Sequence, residues 1–176
     1  TEMDIGKNIA EIKQSLPDGV KLVAVSKKKS PEIIMKAYNA GHKIFGENKA
    51  QELIQKQEKL PKDIEWHFIG HLQTNKAKYL APFVSMIHGI DSFKILKTVN
   101  KEAQKNNRII PCLLQFHIAE ESTKFGLSEE EAYEILDSPE YKALKNISIV
   151  GVMGMATYTD DEQQVRNEFR FLKKIF

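Results

Sequence analysis

Lys27 is the residue whose type and place most directly suggest chemistry. It closes the run Leu22-Val23-Ala24-Val25-Ser26-Lys27. Four consecutive apolar residues, rather than an alternating set, are the pattern of a parallel strand buried on both faces. A lysine at the carboxyl end of such a strand is expected in a low-dielectric mouth. Its ammonium is disfavoured there, which leaves an amine able to form a Schiff base with an aldehyde. Taken alone, Lys27, Lys28 and Lys29 read more readily as a solvated basic turn. Glu47-Asn48 offers a carboxylate and an amide to a ligand, or else caps the helix that follows. His67 and His71 are four apart, a zinc spacing only on a helix. One falls in a strand and the other in a loop, so His67 is expected to face the core and hydrogen-bond there, with no metal. Ser122 to Gly126, with Lys124 inside, reads as a solvated loop, with an anion-binding turn as the alternative. Cys112 precedes the core of a strand and reads as an inert buried thiol.

These residues lie at the ends of strands that alternate with helices. Ile5, Ile9, Ile12 and Leu16 recur at helical spacing up to Pro17-Asp18-Gly19. After the first strand, Ser30-Pro31 supplies an N-cap and a first-turn proline for a helix that Gly41 ends. Further strands are expected near Lys43-Phe45, Glu65-Ile69, Met86-Ile90, Pro111-Ile118 and Ile147-Met153. Helices are expected at about 50–59, 74–80 and 92–105, after the capping box Ser128 to Glu131, and from Asp160 onward. Six strands separated by helices imply a parallel sheet with helical crossovers. There is no Gly-x-x-x-x-Gly-Lys loop and no Gly-x-Gly-x-x-Gly after the first strand. A closed barrel is therefore favoured over a nucleotide-binding open sheet. In either fold the chemistry sits at the carboxyl ends of the strands.

Composition narrows the function classes. The chain has 176 residues, 41% hydrophobic and 28% charged, with 26 basic against 24 acidic side chains and a formal net charge of +2. This is ordinary globular composition for about one domain, with no field that calls for nucleic acid. The single cysteine rules out an internal disulfide and suits a reducing compartment. No apolar run is long enough to span a membrane, and the first residues lack an apolar signal core.

Four segments occur in a telling order: Val23-Ala24-Val25-Ser26-Lys27, Phe45-Gly46-Glu47-Asn48, Trp66 through Lys76, and Gly151-Val152-Met153-Gly154-Met155. Together they closely resemble the pyridoxal phosphate homeostasis proteins, also called the YggS or PROSC family, over essentially the whole chain. The resemblance implies an α/β fold of (β/α)8 TIM-barrel type with an extra N-terminal helix, like the amino-terminal domain of alanine racemase, holding pyridoxal 5′-phosphate (PLP). It implies that Lys27 is the Schiff-base lysine, that Asn48 lies beside the cofactor ring, and that Met153 lines the same mouth. Lys124 would be a weak, secondary ligand. It assigns no catalytic residue and no metal. The implied function is to buffer or deliver PLP in the cytoplasm, with PLP-dependent apoenzymes as recipients, no nucleic acid or membrane partner, and a monomeric state. One alternative is a PLP-dependent amino-acid racemase. Racemisation needs acid and base groups on both faces of the substrate carbon, and alanine racemase takes its second base from an additional domain. Another is a regulatory module whose basic loop, Lys27 to Lys29, contacts an anionic partner.

Members of that family continue through two more βα units, with a Ser-Met-Gly-Met-Ser segment and an Arg-x-Gly-x-x-x-Phe-Gly segment. Nothing here matches either; Gly151 to Met155 belongs to the sixth strand. In barrels of this kind the phosphate sits on the loops after strands seven and eight. Residues 1–176 are thus expected to form one alanine-racemase-like barrel domain, C-terminally incomplete, covering about six of the usual eight βα units. Alone it is expected to hold the cofactor weakly or not at all.

Overall fold

Side-chain caps and apolar stripes define the helices, and their order makes a repeated strand–helix unit. In the computed structural model, which describes residues 4–120 and 126–176, helix α1 (Ile5–Ser15) starts at Asp4, whose carboxylate accepts the Lys7 N–H at 3.0 Å. Strand β1 (Ala24–Val25) leads to α2 (Pro31–Asn39), capped by Ser30 on the Ile33 N–H. Then follow β2 (Ile44–Glu47), α3 (Ala50–Lys59) and β3 (Glu65–Phe68). A 3₁₀ turn, Thr74–Lys76, runs into the short α4 (Ala77–Leu80). β4 (Met86–Ile90) is followed by α5 (Phe93–Lys105), capped by Ser92. β5 (Ile110–Phe116), α6 (Glu129–Asp137), the one-turn α7 (Pro139–Lys142), β6 (Ile147–Gly154) and α8 (Glu162–Ile175) complete the order.

The expected capping box is formed in full. Ser128 Oγ accepts the Glu131 N–H at 3.2 Å, and the Glu131 carboxylate accepts the Ser128 N–H at 3.0 Å. Ser138-Pro139 does end α6, and the same Ser138 caps α7 on the Tyr141 N–H. The helix expected at 74–80 is split, because its first turn is 3₁₀ and only its second is α-helical.

All six strands are parallel and lie in the order β1-β2-β3-β4-β5-β6. A doubly wound sheet reverses its strand order at a switch point, whereas this sheet winds in one direction only, as a barrel does. The helix-side face carries Phe45, Trp66, Phe68, Ile87, Cys112, Leu114 and Phe116, packed with Ile34, Leu53, Leu96 and Val99 in one buried cluster. Burying each such side chain stabilises by roughly 1.5–3 kcal/mol. Strand alternation turns Val25, Gly46, His67, His88 and Gln115 to the opposite, inner face.

The first strand departs from expectation. It is two residues long, not a continuous buried run, and Val25 is 53% exposed. β1 pairs along one edge only, with β2, so among the described residues its other edge is open. The low-dielectric mouth expected around Lys27 is therefore not formed by the described residues; Lys27 is exposed.

Candidate functional site

The carboxyl ends of the strands gather the candidate residues on one rim. Lys27 is in the turn directly after β1, and its amine has no hydrogen-bond or ion-pair partner among the described residues. Asn48, half-buried, directly follows β2. It borders a cavity of about 300 Å³ that is also lined by Lys49, His71 and Lys76. Met153, half-buried, lies near the end of β6 in register with Gln115 of β5. The Gln115 amide in turn approaches the Met155 sulfur at 3.8 Å. The sheet thus brings Lys27, Asn48 and Met153 to the same end of the fold. Lys124 lies outside the described residues.

Two glycines let the rim close tightly. A Cβ on Gly70 would stand 2.3 Å from the Asn48 carbonyl oxygen. One on Gly89 would stand 2.8 Å from the Gly70 oxygen and 3.3 Å from Gln115 Oε1. Close approach, not an unusual φ, requires glycine at both positions. Asn48, Gly70, Gly89 and Gln115 thus stand in a tight row across the rim.

Glu47 does not offer its carboxylate to a ligand, nor does Glu47-Asn48 cap α3. The N-cap position of α3 is Lys49, with no side-chain bond. Glu47 shares the parity of the buried Phe45, so it points to the helix layer and is fully buried. There it accepts from Ser26 Oγ, and both its oxygens accept from Lys56 Nζ at 3.1 Å. Burial pushes the Glu47 carboxyl pKa up, against those hydrogen bonds, which pull it down. Lys56 also donates to the Ser26 carbonyl at 2.7 Å and to Glu52 at 2.9 Å. Burial works against the Glu52 carboxylate too, but bonds from Lys56 and the Lys28 N–H hold it below the usual range. The bonding roles of Ser26, Glu52 and Lys56 are not visible in the sequence pattern. Helical spacing from the apolar Ala50 and Leu53 was the available signal that Lys56 shares their inward face.

Below the rim, His67 Nδ1 and His88 Nε2 are 2.8 Å apart, the core-facing hydrogen bond expected of His67. Glu65 Oε2 lies 3.6 Å from His67 Nε2. Burial lowers both imidazole pKa values, that of His88 to about 4, so the pair is neutral at pH 7. Across the rim, Glu168 of α8 accepts from the Thr157 N–H at 2.6 Å and from its hydroxyl at 2.8 Å. Thr157 Oγ1 accepts the Glu120 N–H, so the segments after β5 and β6 are tied together. Cys112 is fully buried and its thiol is pushed up to about 12 by desolvation. Among the described residues no group of three metal-ligating side chains occurs.

The family model described as "Alanine racemase, N-terminal domain" matches residues 3–176. The pyridoxal phosphate homeostasis protein of Aquifex aeolicus is 40% identical over 157 residues, covering 88% of this chain and 68% of that protein. The one from Helicobacter pylori is 39% identical over 161 residues, covering 89% and 71%. PipY of Synechococcus elongatus, solved with PLP bound, superposes with a TM-score of 0.87 at 30% identity, covering 97% of this chain and 79% of PipY. An alanine racemase of Clostridium difficile, 14% identical, shares the fold with a TM-score of 0.76 over 98% of this chain and 46% of its own. A singly wound parallel sheet, its rim motifs and these relatives together place the chain in the pyridoxal phosphate homeostasis protein family, built on the barrel of the alanine racemase N-terminal domain.

Proposed function

We propose that this protein binds pyridoxal 5′-phosphate and buffers or delivers it, holding it covalently through the Lys27 amine. The observation that carries the reading is the Lys27 amine at the strand-end rim, without a partner among the described residues and in the family's Ala-Val-Ser-Lys position. The residues present suit the aldehyde and ring of the group. A primary amine captures an aldehyde, and an amide at Asn48 and a thioether at Met153 stand at strand ends on the same rim. When bound, the cofactor supplies an aldehyde that an amine captures with loss of one water, and a ring that withdraws electrons. Asn48 would flank the ring and Met153 would line its apolar side. PLP in the structure of PipY supports the same cofactor here.

A carrier fits better than a racemase. Neither Asn48 nor Met153 is a base, and the two inner histidines are bonded to each other. The reading extends to a cytoplasmic monomer that passes its cargo to PLP-dependent apoenzymes, with Lys124 as a secondary ligand. The single, buried Cys112 suits a reducing compartment, and among the described residues no helix is long and apolar enough to cross a membrane.

Titrating PLP into the protein tests this. A saturable change in visible absorbance is expected for the wild type and its loss for Lys27→Ala. Equal binding by both would overturn the assignment of Lys27. Exchange of the α-hydrogen of alanine above that of free PLP would replace the carrier with an enzyme.

A further inference from the structure

The turn that carries Lys27 is gripped from behind by one helix. Two peptide groups flank the Lys27 Cα. The carbonyl of the first, that of Ser26, accepts from Lys56 Nζ at 2.7 Å. It also accepts the Lys29 N–H at 3.0 Å, which closes the turn. The N–H of the second, that of Lys28, donates to Glu52 Oε2 at 2.7 Å. Lys28 holds a left-handed backbone, φ 62, which a lysine rarely adopts without outside support. Glu52 and Lys56 are four residues apart on α3 and are bonded to each other at 2.9 Å. Glu47 completes the set by taking both Lys56 and the Ser26 hydroxyl.

We propose that Glu52 and Lys56 are positioning residues that fix both peptide planes around Lys27 and so set the direction of its amine at the strand-end rim. The inference rests on the reading that Lys27 holds the cofactor. A buried ion pair is weak evidence for stability as such, because desolvation offsets most of the attraction. This one spends its donors and acceptors on the backbone of the turn. The Lys56 ammonium is shared among a carbonyl and two carboxylates, while Glu52 keeps a second bond to the Lys28 amide. With an exposed amine on a surface turn, the direction of Lys27 depends on that backbone and not on packing around the side chain.

The test uses full-length protein and PLP. Glu52 has the accessible end of the clamp, its side chain 25% exposed. Removing it leaves Lys56 paired with Glu47, so the fold is expected to persist. Glu52→Ala is expected to weaken PLP binding roughly ten-fold or more, the scale of a lost hydrogen bond to a charged group. It should also shift the pH midpoint of the visible band, which reports the setting of the Lys27 amine. Glu52→Gln keeps an acceptor for the Lys28 N–H and is expected to stay within about three-fold of wild type. Arg108→Ala, which loses two bonds to the Ala81 and Val84 carbonyls at the far end of the barrel, is the destabilised control. Three results would overturn the clamp: Glu52→Ala binding like wild type, Glu52→Ala weakened no more than Arg108→Ala, or Glu52→Gln as weak as Glu52→Ala. Failure of the underlying reading looks different, since wild type itself would then bind without needing Lys27.

Discussion

A methyl group on Gly70 would stand 2.3 Å from the Asn48 carbonyl oxygen, inside any permitted contact, and the atom it meets is backbone. Gly70→Ala therefore has to push the rim apart, and overpacking of this kind costs about 1–3 kcal/mol. The expected outcome is a lower urea midpoint together with weaker PLP binding, since Asn48 moves with its carbonyl. An unchanged midpoint would show that the rim yields freely. Cys112 makes the opposite case, a reactive residue type silenced by its place. With no exposed surface and its thiol pushed up to about 12, it carries essentially no thiolate at neutral pH. A thiol-specific disulfide reagent is expected to modify it only at the rate of opening of the core, and to react quickly once urea unfolds the chain. Fast labelling of native protein would contradict that burial.

At the scale of the elements, the alternation of strands and helices was legible because caps and apolar spacing are local. Met86–Ile90 falls at its expected limits, and Ser30, Ser92 and Ser128 cap the helices they precede. β1 is shorter and more exposed than its apolar run implies, because composition does not show whether a strand lies at a sheet's edge; here it has a partner on one edge only. The rim position of Lys27, Asn48 and Met153 was legible from strand ends. The role of Glu47 was not, because carboxylates face a ligand or a helix according to strand parity, and parity is visible only once Phe45 is known to be buried on the helix side. Lys56 and Glu52 were hidden for a related reason: their bonds run to the backbone of a turn more than twenty residues away. The capping box offers a check at this scale. Ser128→Ala removes the bond to the Glu131 N–H and is expected to cost about 1 kcal/mol, measurable as a shift in urea midpoint.

At the scale of the whole chain, the described residues form a six-stranded parallel sheet wound in one direction, with an apolar helix side and an inner side that carries His67, His88 and Gln115. That inner side makes stability depend on pH. Burial lowers the pKa values of His67 and His88 in the fold, while in the unfolded chain they return to about 6.5. The unfolded state then binds more protons between those limits. Their contribution is complete above pH about 6.5 and is lost as pH falls toward 4, the folded value of His88. Urea midpoints at pH 7.5 and 5 should show the drop, and His88→Leu should reduce it; equal midpoints for the wild type would contradict the neutral pair. The same architecture puts an exposed, backbone-clamped lysine amine at the strand-end rim, and the account stands on that amine. Its most direct test is to load the protein with PLP, reduce it with borohydride and map the modified peptide. One phosphopyridoxyl group on Lys27 is expected. Modification at another lysine, or none above background, would contradict it.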